Sequence, residues 1–373
     1  MKSQRILILS AGFGDGHNAA AYALQAAFGQ MGHHAVVADV FDQAHPALND
    51  FLRKAYRLAI TKTPKIWSAI YNASDAADFT KRRFDVFAPS TRALKQEIER
   101  FAPDYVVSTY PLYAHLVERL VGKRGHLPCP FVSVVTDAQT INSIWFSSQS
   151  DHYCVIDQVS AQVLLDAGVP QAKINVMGFP ISPEFDQPDV FIPDAPLKIL
   201  FVPSTKRSEV TKVLRSLLHS DKLPSRRVTV VLGRHYDRLK SAVARASNNK
   251  PSGVDLDLLG WTDRMPTLLQ THHCVIGKAG GASVQEAMAA RCPLLINYVV
   301  PGQEEGNADL AVDAGCAMLV PDPANIDATI AALLEDNRRQ LRSMRAAAEK
   351  AGKPAAARQI ADFVLSLTSS RSK

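Results

Sequence analysis

A glycine turn set between an apolar strand and a helix constrains this chain more than any other feature, and it occurs twice. Residues 5–10 are an apolar run, Gly12-Phe-Gly14-Asp-Gly16-His17 turns the chain, residues 18–30 carry a helical pattern, and residues 36–40 return as a second strand. In the second half a buried-strand pattern at 274–276 runs through Lys278 into Gly280 and Gly281, where the backbone can turn tightly, and Ser283 opens a helix. Strand, turn and helix in that order build βαβ units, which demand a parallel sheet covered by helices. Strands at 105–108, 131–135 and 152–156, with helices between them, extend the first sheet. The Pro- and Asp-rich stretch 183–196 reads as a linker, a second α/β unit starts at Lys198, and residues 327–367 are mostly helical. The expected fold class is α/β, with two α/β units joined by that linker. A chain of 373 residues, 47% of them hydrophobic, suffices for two cores at roughly 150 residues per domain.

Other classes drop out. No apolar run approaches the roughly 20 residues of a spanning helix, and the chain passes from Lys2 and Arg5 straight into a strand, without a signal-peptide pattern. The cysteines at 129, 154, 274, 292 and 316 form no Cys-x-x-Cys pair, and read as small buried hydrophobes of a reducing compartment. Asp255-Leu-Asp257 has the shape of a metal-binding transferase motif, but it lies in a strand-like run before Gly260 and reads as a strand edge.

The two glycine turns offer different chemistry. A helix start presents free amides and a positive dipole end to an anion, and Lys278 adds a fixed charge beside the second turn. Glu286, one helical turn in from Ser283, can accept both hydroxyls of a ribose whose diphosphate lies on that helix start. After the next strand, 294–300, and a Pro-Gly turn come Gln303, Glu304 and Asn307, the amides and carboxylates that orient a polyhydroxylated ligand. Together they point to a nucleotide-sugar site. Plainer readings exist: Ser283-Val-Gln-Glu286 is also a capping box, and 303–307 could be a solvated loop. The first turn, with Asp39 downstream as a ribose acid, has the outline of a dinucleotide site. Its spacing, however, is Gly-x-Gly-x-Gly, and a histidine follows where a pyrophosphate needs room. That residue, His17, is the candidate base. The helix dipole disfavours its imidazolium form, leaving it neutral near pH 7 and able to take a proton from a hydroxyl. The alternatives are a histidine that orders the turn or touches phosphate, and for Asp15 a helix N-cap.

These segments resemble, in order and over nearly the whole chain, the GT-B glycosyltransferases, in the branch holding monogalactosyldiacylglycerol synthases, processive diacylglycerol glucosyltransferases and the lipid II N-acetylglucosaminyltransferase. The residues that carry the likeness are Gly260-Trp261, Met265-Pro-Thr-Leu268, Lys278-Ala-Gly280-Gly281-Ala-Ser283-Val-Gln-Glu286 and Pro301-Gly-Gln303-Glu304-Glu-Gly-Asn307. The resemblance implies two Rossmann-like domains facing across a cleft: 1–188 on the acceptor and membrane side, and 197–350 for the donor. A final helix at about 354–370 would pack back on the first domain. Lys278 and Ser283, with Gly280 and Gly281, would hold a diphosphate, Glu286 the ribose, and Gln303 and Glu304 the sugar hydroxyls, with Asn307 beside them. The loop at Trp261 would lie against the uracil, and Gly14, Gly16 and Gly233 count among the donor-binding positions.

His17 closes the Gly-x-Gly-His loop that in this family faces the acceptor. Val135-Thr-Asp137-Ala-Gln-Thr-Ile-Asn142-Ser-Ile-Trp145-Phe resembles the galactolipid-synthase pattern Thr-Asp-x-x-Thr-x-His-x-x-Trp-Phe, with Asn142 where that pattern has histidine. Asp137, at a strand end, would orient His17 or the acceptor, and Trp145 would lie on the acceptor or membrane side. Two loops depart from the family: Val202-Pro-Ser-Thr-Lys-Arg-Ser208 replaces a glycine-rich turn, and Gly233-Arg-His235 has histidine where Gly-Arg-Asn is common.

Membrane attachment has its own footprint. Between Phe51 and Arg83 stand Arg53, Lys54, Arg57, Lys62, Lys65, Lys81, Arg82 and Arg83 against Asp75 and Asp78, interleaved with Tyr56, Trp67 and Tyr71. Cations with interfacial aromatics suit an anionic lipid surface, although such a run can also be a solvated helix face. This segment accounts for as much positive charge as the whole chain's +6, and no nucleic-acid-binding motif accompanies it. The implied activity is an inverting, metal-independent and cofactor-free transfer of a hexose from UDP-galactose or UDP-glucose to diacylglycerol. The enzyme would be cytoplasmic and peripheral at the inner face of the cell membrane, bound to anionic lipids, with no nucleic-acid partner. The alternatives are a polyprenyl-linked or other lipid acceptor, a non-catalytic membrane-binding relative, and a nucleotide-sugar epimerase of the same fold.

Overall fold

Arg5–Leu9 (β1) is buried at every position after its first residue, the pattern of a strand central to a parallel sheet covered on both faces. The computed structural model describes residues 3–12, 15–47, 49–51, 87–122, 125–187, 190–203, 206–301 and 304–367. After β1 come α1 (Asp15–Gln30), β2 (His34–Ala38), α2 (Val40–Ala44), α3 (Ala88–Phe101), β3 (Tyr105–Ser108), α4 (Leu112–Val121), β4 (Phe131–Val134), β5 (His152–Val155), α5 (Gln158–Asp166) and β6 (Ile174–Val176). They form a parallel sheet of order β2-β1-β3-β4-β5-β6. The second half gives β7 (Leu197–Phe201), α6 (Arg207–His219), β8 (Arg226–Val231), α7 (Tyr236–Ser247), β9 (Val254–Leu259), α8 (Met265–Thr271), β10 (Cys274–Lys278) and α9 (Gly281–Ala289). It continues with β11 (Leu294–Tyr298), α10 (Glu305–Asp313), β12 (Ala317–Leu319), α11 (Ile326–Ala351) and α12 (Ala356–Ser366). The second sheet is parallel too, of order β12-β11-β10-β7-β8-β9.

In each sheet the strand order reverses beside the first strand, at β1/β3 and at β7/β10. Ligands of doubly wound sheets bind at such switch points, outside the carboxyl ends of the strands. The chain divides into two compact units, Met1–Pro183 with Pro301–Gly306 and Ala355–Lys373, and Glu184–Val300 with Asn307–Pro354.

Local chemistry explains where elements start and stop. The second strand was expected at 36–40 but ends at Ala38, because Asp39 caps α2: its carboxylate accepts from the Asp42 amide at 3.0 Å and from the Gly12 amide at 3.1 Å. Asp39 thus ties the first glycine turn to the next helix and is not placed as a ribose acid. The helical stretch at 327–367 is α11 and α12, and α11 is broken at Glu335–Arg338, where Asp336, Asn337 and Arg338 take positive φ angles. Asp255 and Asp257 lie on β9 at the sheet edge and face Arg227 at 3.3 and 3.7 Å, cross-strand ion pairing that accounts for both acids.

The chain's last helix belongs to the first core. Ala357, Ile360, Ala361 and Val364 of α12 pack with Leu24 and Phe28 of α1, and the Tyr105 hydroxyl donates to the Leu367 carbonyl at 3.1 Å. Ile360 is fully buried there. Ile360→Ala is expected to cost about 2–5 kcal/mol through lost burial and an unfilled cavity, measured as a lower urea midpoint; an unchanged midpoint would mean that α12 adds nothing to this core. Among the described residues no helix is long and apolar enough to cross a membrane.

Candidate active site

At the switch point of the first sheet, α1 begins with His17 as its third residue, held by the ends of two neighbouring strands. The His17 Nδ1 lies 2.9 Å from the Thr109 carbonyl, just beyond β3, and 2.8 Å from Thr136 Oγ1, just beyond β4. A carbonyl can only accept, which assigns the proton to Nδ1 and leaves the lone pair on Nε2. The Thr109 hydroxyl donates back to the His17 carbonyl at 3.0 Å, and the Tyr110 ring meets the imidazole edge-on with centroids 5.1 Å apart. The ring is half-buried, and burial holds its pKa below the usual 6.5 against the opposing pull of the Asp137 charge and the Thr109 carbonyl. A neutral imidazole with a fixed tautomer, and with no partner on Nε2 among the described residues, is a proton acceptor.

Asp137 acts on this ring by its charge, while its hydrogen bond goes elsewhere. Its Oδ2 accepts from the Trp145 indole Nε1 at 2.7 Å. Burial raises its pKa above 3.8, and the indole N–H opposes that rise. Trp145 was expected at an acceptor or membrane surface. It is instead 1% exposed, part of a core with Val135, Ile141 and Tyr153, because its N–H has the half-buried Asp137 carboxylate to bond. Asn142, which replaces the pattern's histidine, is buried, and its side-chain oxygen accepts from the Ile144 amide at 3.1 Å, capping the short 3-10 turn Ser143–Trp145 that carries the indole.

In the second unit the carboxyl ends of β7 and β10 meet, with the Val202 amide donating to the Ile276 carbonyl. Helix α9 opens at Gly281, two residues before the expected Ser283, with Gly280 as N-cap and no side-chain cap bond. The capping-box reading of Ser283 and Glu286 therefore fails: Ser283 lies inside the first turn and is exposed, so its hydroxyl does not cap. Gly280 has φ −68 and ψ 140, open to any residue, so this turn needs no left-handed glycine. Lys278 ends β10 half-buried, at a register shift after Gly277. Glu286 is half-buried on α9 with no hydrogen-bond or ion-pair partner among the described residues, and desolvation alone lifts its pKa to about 7. Asn307 is buried, its amide donating to the Ala279 carbonyl at 3.2 Å and so bracing the turn from α10.

Gly233 sits at φ +53 beyond β8, a left-handed conformation that favours glycine, and its amide donates to the Gly260 carbonyl. Trp261 follows β9 with 71% of its surface exposed, a flat ring open to stacking. Gly16 lies in the first turn of α1, where a Cβ would meet nothing within 4 Å. Glu304 is buried, in the segment that clusters with the first unit, whereas Glu286, Lys278 and Asn307 belong to the second. Gly14, Gln303, Arg53, Lys54, Arg57, Trp67, Lys81, Arg82 and Arg83 lie outside the described residues. The sequence reading missed Thr109 and Thr136. Both follow a strand's last residues, Thr109 at the switch point and Thr136 after the strand next to it, a signal in retrospect, but nothing in a single sequence shows which loop reaches His17.

Two parallel doubly wound sheets in one chain define the GT-B class of glycosyltransferase fold. The family model for monogalactosyldiacylglycerol (MGDG) synthase matches residues 17–181, starting at His17 itself, and that for the glycosyltransferase family 28 C-terminal domain matches residues 202–360. The chain is 28% identical over 374 aligned residues to a processive diacylglycerol beta-glucosyltransferase of Bacillus thuringiensis (strain Al Hakam), covering 98% of this chain and 94% of that one. Among solved structures it resembles MurG of Acinetobacter baumannii (TM-score 0.64, 16% identity, 98% and 100% of the two chains). It also resembles UDP-GlcNAc 2-epimerase from Neisseria meningitidis bound to UDP-GlcNAc (TM-score 0.61, 15% identity, 97% and 100%). At such identities the structural likeness shows the fold alone. Together the two family models span most of the chain, which is thus a glycosyltransferase of GT-B fold joining an MGDG-synthase segment to a family 28 C-terminal domain.

Proposed function

We propose that the protein transfers a hexose from UDP-glucose or UDP-galactose to diacylglycerol with inversion at the anomeric carbon. The observation that carries this reading is His17: a half-buried, neutral imidazole with Nδ1 tied to a carbonyl and no partner on Nε2 among the described residues, in a chain whose relatives are named diacylglycerol glucosyltransferases. Nε2 takes the proton of the acceptor hydroxyl as that oxygen attacks the anomeric carbon. The bond from that carbon to the diphosphate breaks on the opposite face, and UDP departs with the bonding pair. Asp137 opposes the positive charge that His17 acquires. On the donor side the amides at the start of α9, with Lys278 and Ser283, meet the diphosphate, Glu286 accepts the ribose hydroxyls, and Trp261 stacks on the uracil. Asn307 braces the turn. No step in this route uses a metal or a cofactor.

The fold is shared with an epimerase at nearly the same TM-score, so fold alone does not choose between transfer and epimerisation; the sequence relatives favour transfer. Incubation with UDP-glucose, UDP-galactose and UDP-GlcNAc in diacylglycerol vesicles, followed by mass analysis, decides it. A hexosyl lipid with released UDP is expected, whereas an epimerised nucleotide sugar without lipid product would sink the reading.

Membrane contact is assigned to the basic, aromatic stretch 51–83 at a cytoplasmic lipid surface. Each cation near an anionic surface contributes about 1 kcal/mol, so neutralising Lys81, Arg82 and Arg83 is expected to weaken partitioning by up to about 3 kcal/mol, over a hundredfold. Salt should release the wild type from anionic liposomes and matter less for the triple variant, because the Debye length is roughly 8 Å at physiological ionic strength. Equal sedimentation of both proteins across a salt series would make this stretch a solvated face.

A further inference from the structure

We infer that Trp145 is a positioning residue for the reaction: its indole N–H fixes the Asp137 carboxylate where that charge bears on the His17 ring. The inference rests on the reading of His17 as the base. Asp137 is half-buried, and a carboxylate in such a place is costly without a donor. Among the described residues the indole is the one donor its oxygens have, and at 2.7 Å the bond has the length of a charge-assisted one. The indole ring also stands 6.1 Å from the His17 ring, centroid to centroid, so one side chain bonds the acid and flanks the base.

The indole is itself fixed from behind. Asn142 caps the turn that carries it, and His115 reaches over from α4, its Nε2 donating to the Ile144 carbonyl at 3.1 Å. The buried Ser148 hydroxyl, 2.8 Å from His115 Nδ1, is then the donor to that nitrogen and sets the tautomer. Burial holds the His115 pKa down, which keeps the ring neutral and this arrangement intact. A tryptophan needed only to fill the core would not require a turn clamped at its cap, its carbonyl and its far end. The groups facing the pair are His17 and Asp137 themselves, with Tyr110 edge-on to the imidazole.

The test replaces Trp145 in the full chain by its benzothienyl isostere, in which sulfur stands for the N–H and the shape is kept; Trp145→Phe serves as a second variant. The His17 ring resonance, identified as the signal lost in His17→Ala, is titrated by NMR in the wild type, the isostere, Asp137→Asn and the combination. Without its donor Asp137 holds its charge less well, so the His17 midpoint is expected to move to lower pH in the isostere and in Asp137→Asn, with no further movement when the two are combined. Turnover of UDP-glucose on vesicles of diacylglycerol and phosphatidylglycerol should fall roughly 10- to 100-fold, the range for losing one hydrogen bond to a charge, with KM for UDP-glucose unchanged. An unmoved His17 midpoint in the isostere overturns the proposal. So does an equal loss of turnover in the Asp137→Asn background, which makes Trp145 a packing residue. Full turnover by His17→Ala defeats the reading of the base instead, and the titration still decides what Trp145 does to Asp137.

Discussion

His17→Ala is expected to lower turnover by roughly 100-fold or more, the loss typical of removing a general base, with little change in UDP affinity. The imidazole accepts a proton only when neutral, and burial holds its pKa below 6.5. Turnover at saturating UDP-sugar, where the pH dependence of donor binding through Glu286 does not enter, should therefore persist as pH falls to 6.5 and be lost only below it, along an acid limb that follows the His17 titration. His17→Gln keeps a hydrogen-bonding side chain without a titrating base, so it should lose both the rate and the limb. Steady-state kinetics between pH 5 and 8 check this, with calorimetric UDP binding as the control for folding. A variant turning over near the wild-type rate, or an acid limb in kcat that survives in His17→Gln, removes His17 from the chemistry. The same pKa shift bears on stability. A histidine whose pKa is depressed by folding favours the native state above its unfolded value of about 6.5, and that contribution is lost as pH falls below it. The kinetic limb should accordingly be read only where the protein remains folded by circular dichroism.

What the sequence made legible follows the range of the forces involved. The strand at Tyr105–Ser108 matches its expected limits because an apolar run bounded by polar residues is a local signal, and the glycine turns marked the strand-to-helix corners for the same reason. Boundaries slipped where a side chain chose its own partner. Asp39 took two backbone amides and ended β2 early, while α9 began at Gly281 without any side-chain cap. Trp145 was misplaced because exposure of an amphipathic ring depends on whether a distant group can satisfy its N–H. Asp137, eight residues away across a loop, does so. The bonds that fix His17 join it to Thr109 and Thr136, 92 and 119 residues along the chain, and no periodicity encodes them. Residue types were legible, then, and pairings were not: the sequence pointed to a histidine and an aspartate, but the structure couples them by charge and ties their hydrogen bonds to a carbonyl and an indole.

Glu286→Gln should separate ligand binding from folding by moving the two in opposite directions. Glu286 has no partner among the described residues, and desolvation lifts its pKa from 4.5 to about 7. The sign follows from linkage: a carboxyl whose folded pKa is raised favours the native state below its unfolded value, and the fold loses that advantage as pH rises towards 7. Holding the charge at pH 8 thus costs up to about 3 kcal/mol, less where solvent screens this half-buried group. Glutamine keeps the shape without the charge, so the variant should be more stable than the wild type at pH 8 and closely similar at pH 4.5. If the carboxylate accepts two ribose hydroxyls, the same change should weaken UDP binding by about 1.5–3 kcal/mol, the range for hydrogen bonds to a charged group. Binding to the wild type should strengthen as pH rises towards 7 and release protons there, since the ligand favours the ionised form. Calorimetry in two buffers of different ionisation enthalpy measures that release, and urea unfolding at the two pH values measures the stability. A variant that gains stability but binds UDP unchanged, with no proton release from the wild type, would leave Glu286 as a strained carboxyl with no part in the donor site. A variant that loses both would make it structural. Stability gained and affinity lost together is the signature of a group held at a cost to folding for the ligand it meets.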